Sequence, residues 1–324
     1  MTFKDTLEDA MILSASRRTD IPAYYMKWFM KRLDEGFFHV RNPINRRQVS
    51  EVSISRETLD CIVFWTKNAL PFEPYMDELD DYMYYFLYTI TGYDSGIERY
   101  LPPLEDRIEN FKRISNRIGS ERMIWRYDPI LFTCQLDLQT HIARFSELCE
   151  ALEGYANKVV VSWLDEYPKI KTNLGKINYV EPSPEQVSFL TQKLSEIAKR
   201  HNLDIASCAE GTDYSELGVI PNRCIDDQLV ARLTGNAIKV SKDKNQRASC
   251  GCATSIEIGA YNSCKNGCLY CYANYSDQRV GENVLEHDDE SSLLIGRVDE
   301  RDKITKRLVG TLKCEQQLTM FDDR

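Results

Sequence analysis

The feature that most constrains the fold of this chain is a repeated alternation between short apolar runs and longer amphipathic stretches. Short apolar runs are typical of buried strands, and apolar residues spaced three and four apart are typical of helices. The predicted strands are residues 11–16, 37–40, 61–66, 84–91, 122–127, 158–164 and 203–209. The predicted helices are residues 23–33, 72–81, 104–118, 139–152, 183–201 and 226–233.

Repeated strand–helix units predict an α/β fold with a parallel sheet covered by helices. Six or more such units favour a TIM-like (β/α) barrel, complete or partial, over residues 1–240. A doubly wound open sheet is the alternative, but no glycine-rich phosphate loop follows the first predicted strand. Residues 241–276 are predicted to pack on the barrel mouth. Residues 277–324 are predicted to be a charged tail, with one exposed helix over 293–312.

Charge and apolar content limit the class of protein. The chain has 41 basic and 50 acidic residues, a net charge of −9, so a broad nucleic-acid-binding surface is not expected. A local basic groove near the start is an open alternative to separate surface charges at Arg17, Arg18, Arg41, Arg46 and Arg47. No apolar run approaches the roughly 20 residues that span a bilayer, and the first residues lack the apolar stretch of a signal peptide. We therefore expect a cytoplasmic protein without a membrane partner.

Cysteine spacing is the strongest chemical signal. Disulfides are rare in a reducing compartment, so clustered cysteines there indicate metal or iron–sulfur ligation. Cys264, Cys268 and Cys271 follow a CxxxCxxC spacing, with Tyr270 before the last of them. We call residues 264–271 the cysteine loop. The isolated cysteines, such as Cys61, Cys134 and Cys149, are predicted to be small core residues.

Polar side chains follow several predicted strands at the points where those strands end. In parallel α/β folds these carboxyl ends gather at one edge, where chemistry takes place. Cationic side chains there suit an anionic substrate or cofactor group, although each residue could instead cap or pair locally at a helix start. The candidate catalytic residues are Arg17, Asp20, Lys67, Arg126, Asp128 and Glu210.

The cysteine loop resembles that of the radical S-adenosylmethionine family, CxxxCxΦC, in which an aromatic residue precedes the last cysteine. The wording "NSCKNGCLYCYAN" is also similar to the spore photoproduct lyase-like branch. The resemblance implies a [4Fe–4S] cluster on Cys264, Cys268 and Cys271, with Tyr270 beside it, S-adenosylmethionine as cofactor, and an electron donor such as flavodoxin or ferredoxin. In most of that family the loop follows the first barrel strand, whereas here it lies near the C-terminal end.

A longer resemblance runs from "SASRRTDIP" through "FWTKN" to "CGCATSIEIGAYNSCKNGCLYCYAN". Over roughly residues 11–276 the chain resembles the family called domain of unknown function 1848. That resemblance implies a C-terminal cluster of cysteines like that of radical S-adenosylmethionine proteins, but no particular reaction.

Four further cysteines form a possible second site, which we call the four-cysteine group. Four thiolates are enough for zinc or for another cluster. Two alternatives stay open: Cys208 and Cys224 as packing residues, or one of Cys250 and Cys252 as a fourth ligand of the first site. The members of the group are Cys208, Cys224, Cys250 and Cys252.

Three hypotheses for function follow. The first is an atypical radical S-adenosylmethionine enzyme acting on an unidentified substrate, with nucleic-acid repair or modification as one setting. The second is an iron–sulfur protein in electron transfer or sensing, and the third is a zinc-stapled interaction module. The stretch "QLTMF" at residues 317–321 resembles peptides that bind the bacterial sliding clamp, against the alternative of a frayed tail.

Overall fold

The structure is a computed structural model that describes residues 11–238 and 240–307. Its strands are β1 Ile12–Ala15, β2 Phe37–Arg41, β3 Gln48–Ser53, β4 Cys61–Thr66, β5 Tyr84–Thr89, β6 Met123–Ile130, β7 Lys158–Trp163, β8 Asp204–Ser207, β9 Ile220–Pro221, β10 Ile256–Glu257 and β11 Lys303–Arg307. Its α-helices are α1 Ile21–Tyr24, α2 Met26–Glu35, α3 Leu104–Ile118, α4 Leu138–Leu152, α5 Lys171–Lys176, α6 Pro184–Arg200, α7 Asp227–Thr234 and α8 Asp277–Leu285. Short 3-10 helices lie at Leu70–Tyr75, Asp77–Leu79, Ser120–Arg122, Pro168–Ile170 and Ser215–Leu217.

The central feature is an eight-stranded sheet in the order β10-β1-β4-β5-β6-β7-β8-β9. Every neighbouring pair in it is parallel, which confirms the predicted parallel α/β class. From β1 onward the strands follow one another in chain order, as strands linked by helical crossovers do. Within the described residues β9 and β10 are the two ends of this order and do not pair with each other, so closure of a barrel is not shown.

The two faces of the sheet are buried by different parts of the chain. Side chains alternate along a strand, so Phe64 and Phe86 belong to the cluster that packs against the helices. Val63 and Leu87 point the other way, into a smaller cluster that also contains Cys224. Because both faces are covered, β1 and β4–β8 are nearly continuous apolar runs, which is why the sequence predicted these six strands. The two-residue strands β9 and β10 were not predicted.

Helix ends follow the local signals in the sequence. Ser183 caps α6, with its side chain accepting from the Gln186 backbone N–H and the Gln186 side chain accepting from the Ser183 backbone N–H. Pro184 stands at the first helical position, where its missing N–H is not needed. The prediction that a helix begins at Ser183 and Pro184 is therefore confirmed.

Two predicted helices are wrong. In place of the predicted helix over 72–81, residues 70–75 and 77–79 form two 3-10 helices, since Pro74 inside the first lacks the backbone donor that would continue an α-helix from Leu70. The described part of the stretch 293–312 is not a helix, because β11 pairs in parallel with β3 in a separate sheet of order β11-β3-β2. That pairing satisfies the backbone of the β3 edge, which the sequence of β11 does not reveal. The motif at residues 317–321 lies outside the described residues.

No helix in the part of the chain that the structure describes has the length and apolarity needed to cross a bilayer.

Candidate functional site

A cavity of about 310 Å³ opens at the carboxyl edge of the large sheet. Its wall includes Ser16 after β1, Thr66 at the end of β4, Thr89 at the end of β5, and Arg126 and Asp128 on β6. The strand ends therefore meet where a parallel α/β fold places a binding site.

Both groups of cysteines line this cavity, although they are far apart in the sequence. The cysteine loop contributes Cys264, Cys268 and Cys271 to the wall. The wall also contains all four members of the four-cysteine group, Cys208, Cys224, Cys250 and Cys252. The fold thus gathers seven thiols around one space.

Five of the six predicted catalytic residues also line the cavity, namely Arg17, Asp20, Lys67, Arg126 and Asp128. Glu210 is the exception, because it lines a neighbouring pocket together with Asp213. Its carboxylate accepts a hydrogen bond from the Trp163 backbone N–H at 2.9 Å, and burial raises the pKa of Glu210. The structure therefore separates Glu210 from the other predicted residues.

Asparagine side chains fasten the cysteine loop to the end of β1. The amide of Asn274 donates to the Arg18 carbonyl at 2.8 Å and accepts from the Cys264 backbone N–H at 2.9 Å. The amide of Asn266 donates to Asp20 at 3.0 Å. The loop is thus held over the cavity by buried polar contacts, and burial raises the pKa of Cys264.

Asp20 serves mainly to join three segments. Its carboxylate caps α1 through the Ala23 N–H at 3.1 Å, which confirms the capping alternative. It also accepts from the Thr66 hydroxyl at 2.7 Å, the Lys67 N–H at 2.8 Å and the Asn266 amide. Burial raises the pKa of Asp20, and these hydrogen bonds oppose that rise.

A buried carboxylate that the sequence did not single out lies behind the cysteine loop. Glu98 is 2% exposed and accepts from Lys67 Nζ at 2.8 Å, the Thr91 hydroxyl at 3.1 Å and the Tyr270 hydroxyl. Arg107 lies 3.6 Å away. Burial pushes the pKa of Glu98 upward, but Lys67 and Arg107 more than offset this, so the pKa is lowered. Glu98 lies in a bend after β5, and no strand end or motif marks it in the sequence.

The members of the four-cysteine group lie near one another in the cavity wall. Cys208 Sγ lies 3.4 Å from Cys224 Sγ, and the backbone N–H of Ile225, next to Cys224, donates to Cys252 Sγ at 3.5 Å. The neighbouring thiols of Cys224 and Cys250 lower the pKa of Cys252. All described cysteines are free thiols. Cys61 and Cys149 are buried as predicted, whereas the prediction for Cys134 is wrong, because it lies exposed in the loop between β6 and α4.

Two arginines flank this group. Arg126 pairs with Asp128, and its Nη1 lies 3.7 Å from Cys224 Sγ. The guanidinium groups of Arg17 and Arg126 lie over the Trp65 ring at 5.5 and 4.7 Å from its centre. Burial lowers the pKa of Arg17, but Glu257, Cys252 and Cys224 outweigh that effect and raise it. Both cations therefore lie beside sulfur, and Trp65 is a further site residue that sequence reasoning missed.

The donor chemistry of the cavity suits thiophilic metals. Cysteine sulfur selects zinc, cuprous copper and iron–sulfur clusters, and no histidine is among the described residues that line the cavity. As the side chains stand, no group of three or more histidine, cysteine, aspartate or glutamate residues in ranges 11–238 and 240–307 is arranged to hold a metal ion. The thiols thus share a cavity without forming a closed coordination shell.

A family model described as domain of unknown function (DUF1848) matches residues 12–273. The chain belongs to this family. The match begins at β1 and includes both cysteine groups, so almost the whole cavity wall lies in the part shared with the DUF1848 family. No curated protein and no solved structure matches the chain.

Proposed function

We propose that this chain is an iron–sulfur enzyme of the radical S-adenosylmethionine type, in which Cys264, Cys268 and Cys271 hold a [4Fe–4S] cluster. The observation that carries the proposal is that these three thiols line the same cavity as Arg17, Lys67 and Arg126. A cysteine set intended only for folding has no need to face a space lined by partly buried cations. We further propose that the sheet is the wall of a (β/α) barrel, complete or partial, which its chain-order strand sequence supports.

The number of loop thiols suits such a cluster. Three cysteines leave one of the four irons without a protein ligand, and a small molecule can bind there. When bound, the cluster supplies the electron for reductive cleavage of S-adenosylmethionine, and the protein supplies orientation and exclusion of water.

The cations of the cavity give the protein its part in binding. Arg17 and Lys67 reach the cavity from the ends of β1 and β4, where they can pair with carboxylate or phosphate groups. Lys67 is held in place by Glu98, so its position is set before any ligand enters. These contacts favour an anionic small molecule or an anionic group on a larger substrate.

A test begins with anaerobic purification and assays of iron, sulfide and visible absorption. The proposal predicts brown protein with cluster iron that is lost in Cys264→Ser, Cys268→Ser and Cys271→Ser variants. The matched control is Cys61→Ser, which removes a buried thiol outside the cavity. Adding S-adenosylmethionine and a reductant is then expected to give 5′-deoxyadenosine.

Two results decide against the proposal in different ways. A brown protein that never forms 5′-deoxyadenosine indicates electron transfer or sensing, with a donor such as flavodoxin or ferredoxin as partner. A colourless protein whose loop cysteines bind zinc indicates an interaction module. Nucleic-acid repair or modification is the setting we propose for the substrate, to be tested by adding damaged and intact DNA to the same assay.

A further inference from the structure

We propose that the four-cysteine group is a second metal site, which binds a single thiophilic divalent ion of the zinc type. Cys208, Cys224, Cys250 and Cys252 come from the end of β8, the segment before α7 and the segment before β10. This site is independent of the cluster proposed for the cysteine loop.

The spacing of the sulfurs favours a single metal ion. A tetrahedral zinc with Zn–S bonds of about 2.3 Å sets its sulfurs about 3.8 Å apart. Cys208 Sγ and Cys224 Sγ are 3.4 Å apart, and the backbone N–H of Ile225, next to Cys224, donates to Cys252 Sγ at 3.5 Å. Sulfurs bound to different irons of a cubane are farther apart than sulfurs that share one ion, so the observed closeness favours a single ion.

The burial of these thiols also favours a metal site. Cys224, Cys250 and Cys252 are 3%, 7% and 3% exposed and lie on the face of the sheet that carries Val63 and Leu87. Apolar packing alone does not require four thiols to line one cavity, because any small apolar residue fills such a space. As the side chains stand, the four sulfurs do not surround one point, so the ion binds after rotations of the cysteine side chains draw the sulfurs together.

The arginines beside the four-cysteine group can balance the charge of a metal–thiolate centre. A divalent ion with four thiolates has a net charge of −2. Arg126 Nη1 lies 3.7 Å from Cys224 Sγ, but Asp128 already neutralises that guanidinium. Arg17 is different, because its buried Nη2 atom has no hydrogen-bond partner among the described residues. Glu257 is a negative neighbour of Arg17 but leaves its Nη2 atom unpaired, and a metal–thiolate centre beside Arg17 supplies an acceptor of negative charge for that atom.

A metal ion at the four-cysteine group also explains how an irregular segment is held against the sheet. The segment that contains these three cysteines covers that same face of β4, β5 and β6 through Ile225 and Ala253. Among residues 222–238 and 240–257, its regular elements are only the short strand β10 and the helix α7. A metal ion that joins it to the end of β8 holds such an irregular segment against the sheet, as structural zinc does in small loops.

The test uses the full chain with Cys264, Cys268 and Cys271 all changed to serine, so that the proposed cluster cannot contribute. In this background we expect one zinc ion per chain by elemental analysis. Reconstitution with Co²⁺ is expected to give the intense sulfur-to-cobalt bands of a tetrahedral thiolate site. Cys208→Ser with Cys224→Ser, or Cys250→Ser with Cys252→Ser, is expected to remove both signals, whereas Cys61→Ser with Cys149→Ser leaves them unchanged.

A second measurement does not depend on the folding of the variants. Thiols of the metal-free protein are alkylated with and without Zn²⁺, and the labelled cysteines are identified by mass spectrometry. Zn²⁺ is expected to protect the four-cysteine group by at least tenfold in rate and to leave the exposed Cys134 unprotected. Arg17→Gln is expected to weaken Co²⁺ binding severalfold.

Three results would overturn the second site. The first is the absence of bound zinc and cobalt in the triple serine variant of the cysteine loop. The second is an unchanged metal content in both pairs of cysteine variants, and the third is iron with sulfide bound at the four-cysteine group. None of them bears on the cluster of the cysteine loop, whose iron is measured with that loop intact.

Discussion

The hydroxyl of Tyr270, one residue before Cys271, hydrogen-bonds the buried carboxylate of Glu98. Lys67 Nζ, which reaches the same carboxylate at 2.8 Å, also lines the cavity. The cysteine loop, a strand-end cation and a carboxylate from the bend after β5 are therefore one connected unit.

Tyr270→Phe removes only the hydroxyl from this unit. Hydrogen bonds to a charged group contribute about 1.5–3 kcal/mol, so we expect the free energy of unfolding to fall by roughly that amount. Urea denaturation measures the change. The control is Tyr100→Phe, whose ring is 63% exposed beside the same loop, and an equal loss of stability there would contradict the role given to the Tyr270 hydroxyl.

Glu98→Gln leaves Lys67 and Arg107 near a neutral partner in a buried setting. Removing one member of a buried ionic group typically costs about 3–5 kcal/mol, because the remaining charge is not compensated. Asp81→Asn breaks an ion pair with Arg56 in which both side chains are more than 60% exposed, and it is expected to cost less than about 1 kcal/mol. Thermal unfolding that shifts equally in the two variants would show that Glu98 has no special role.

Gly267→Ala tests the backbone of the cysteine loop. Gly267 has a φ of +66°, and an added Cβ would lie 2.5 Å from the Tyr100 ring. We expect a loss of about 1–3 kcal/mol in stability and lower iron content per chain. Gly281→Ala is the matched control, because it lies inside α8 with nothing within 4 Å of the added Cβ, and it should stabilise the protein by about 0.5–1 kcal/mol.

His141 makes the folded protein sensitive to acid. Burial lowers the pKa of His141 to about 4 from its ordinary value of 6.5, and its ring bonds the Tyr127 hydroxyl at 2.8 Å and the Leu131 carbonyl at 2.9 Å. Between these two values the unfolded chain binds more protons than the folded one, so stability falls as the pH drops from about 6.5 to about 4.

The loss expected from His141 is about 3 kcal/mol over that range, measured by urea denaturation at each pH. His141→Gln should flatten this part of the pH profile. A wild-type profile that is already flat between these pH values would rule out the buried neutral ring.

Much of the fold was predictable from local sequence. The strand at Cys61–Thr66 and the helix at Leu104–Ile118 lie where they were predicted, because apolar runs and helical spacing report burial directly. The 3-10 helix at Leu70–Tyr75 was misread, because the apolar spacing there concealed the backbone donor that Pro74 lacks.

The candidate site was only partly predictable. Five strand-end residues and both cysteine groups were identified, because parallel strands bring their carboxyl ends to one edge and sulfur has a recognisable spacing. Glu98 was missed, since a carboxylate in a bend shows no pattern until Lys67 and Tyr270 surround it. Glu210 was misplaced, because adjacency to a strand end does not fix the direction in which a side chain points.

The sequence by itself determined the parallel α/β class, strands β1 and β4–β8 of the large sheet, and the family to which the chain belongs, since these depend on periodicity and local motifs. Only the tertiary structure decided that Cys208 lies 3.4 Å from Cys224, that β11 joins β3, and that Glu98 holds Lys67 beneath the cysteine loop. The physical reason is that contacts between distant segments depend on how the sheet packs and which polar groups it buries. The residues next to each contact in the sequence carry no periodicity or motif that reports it.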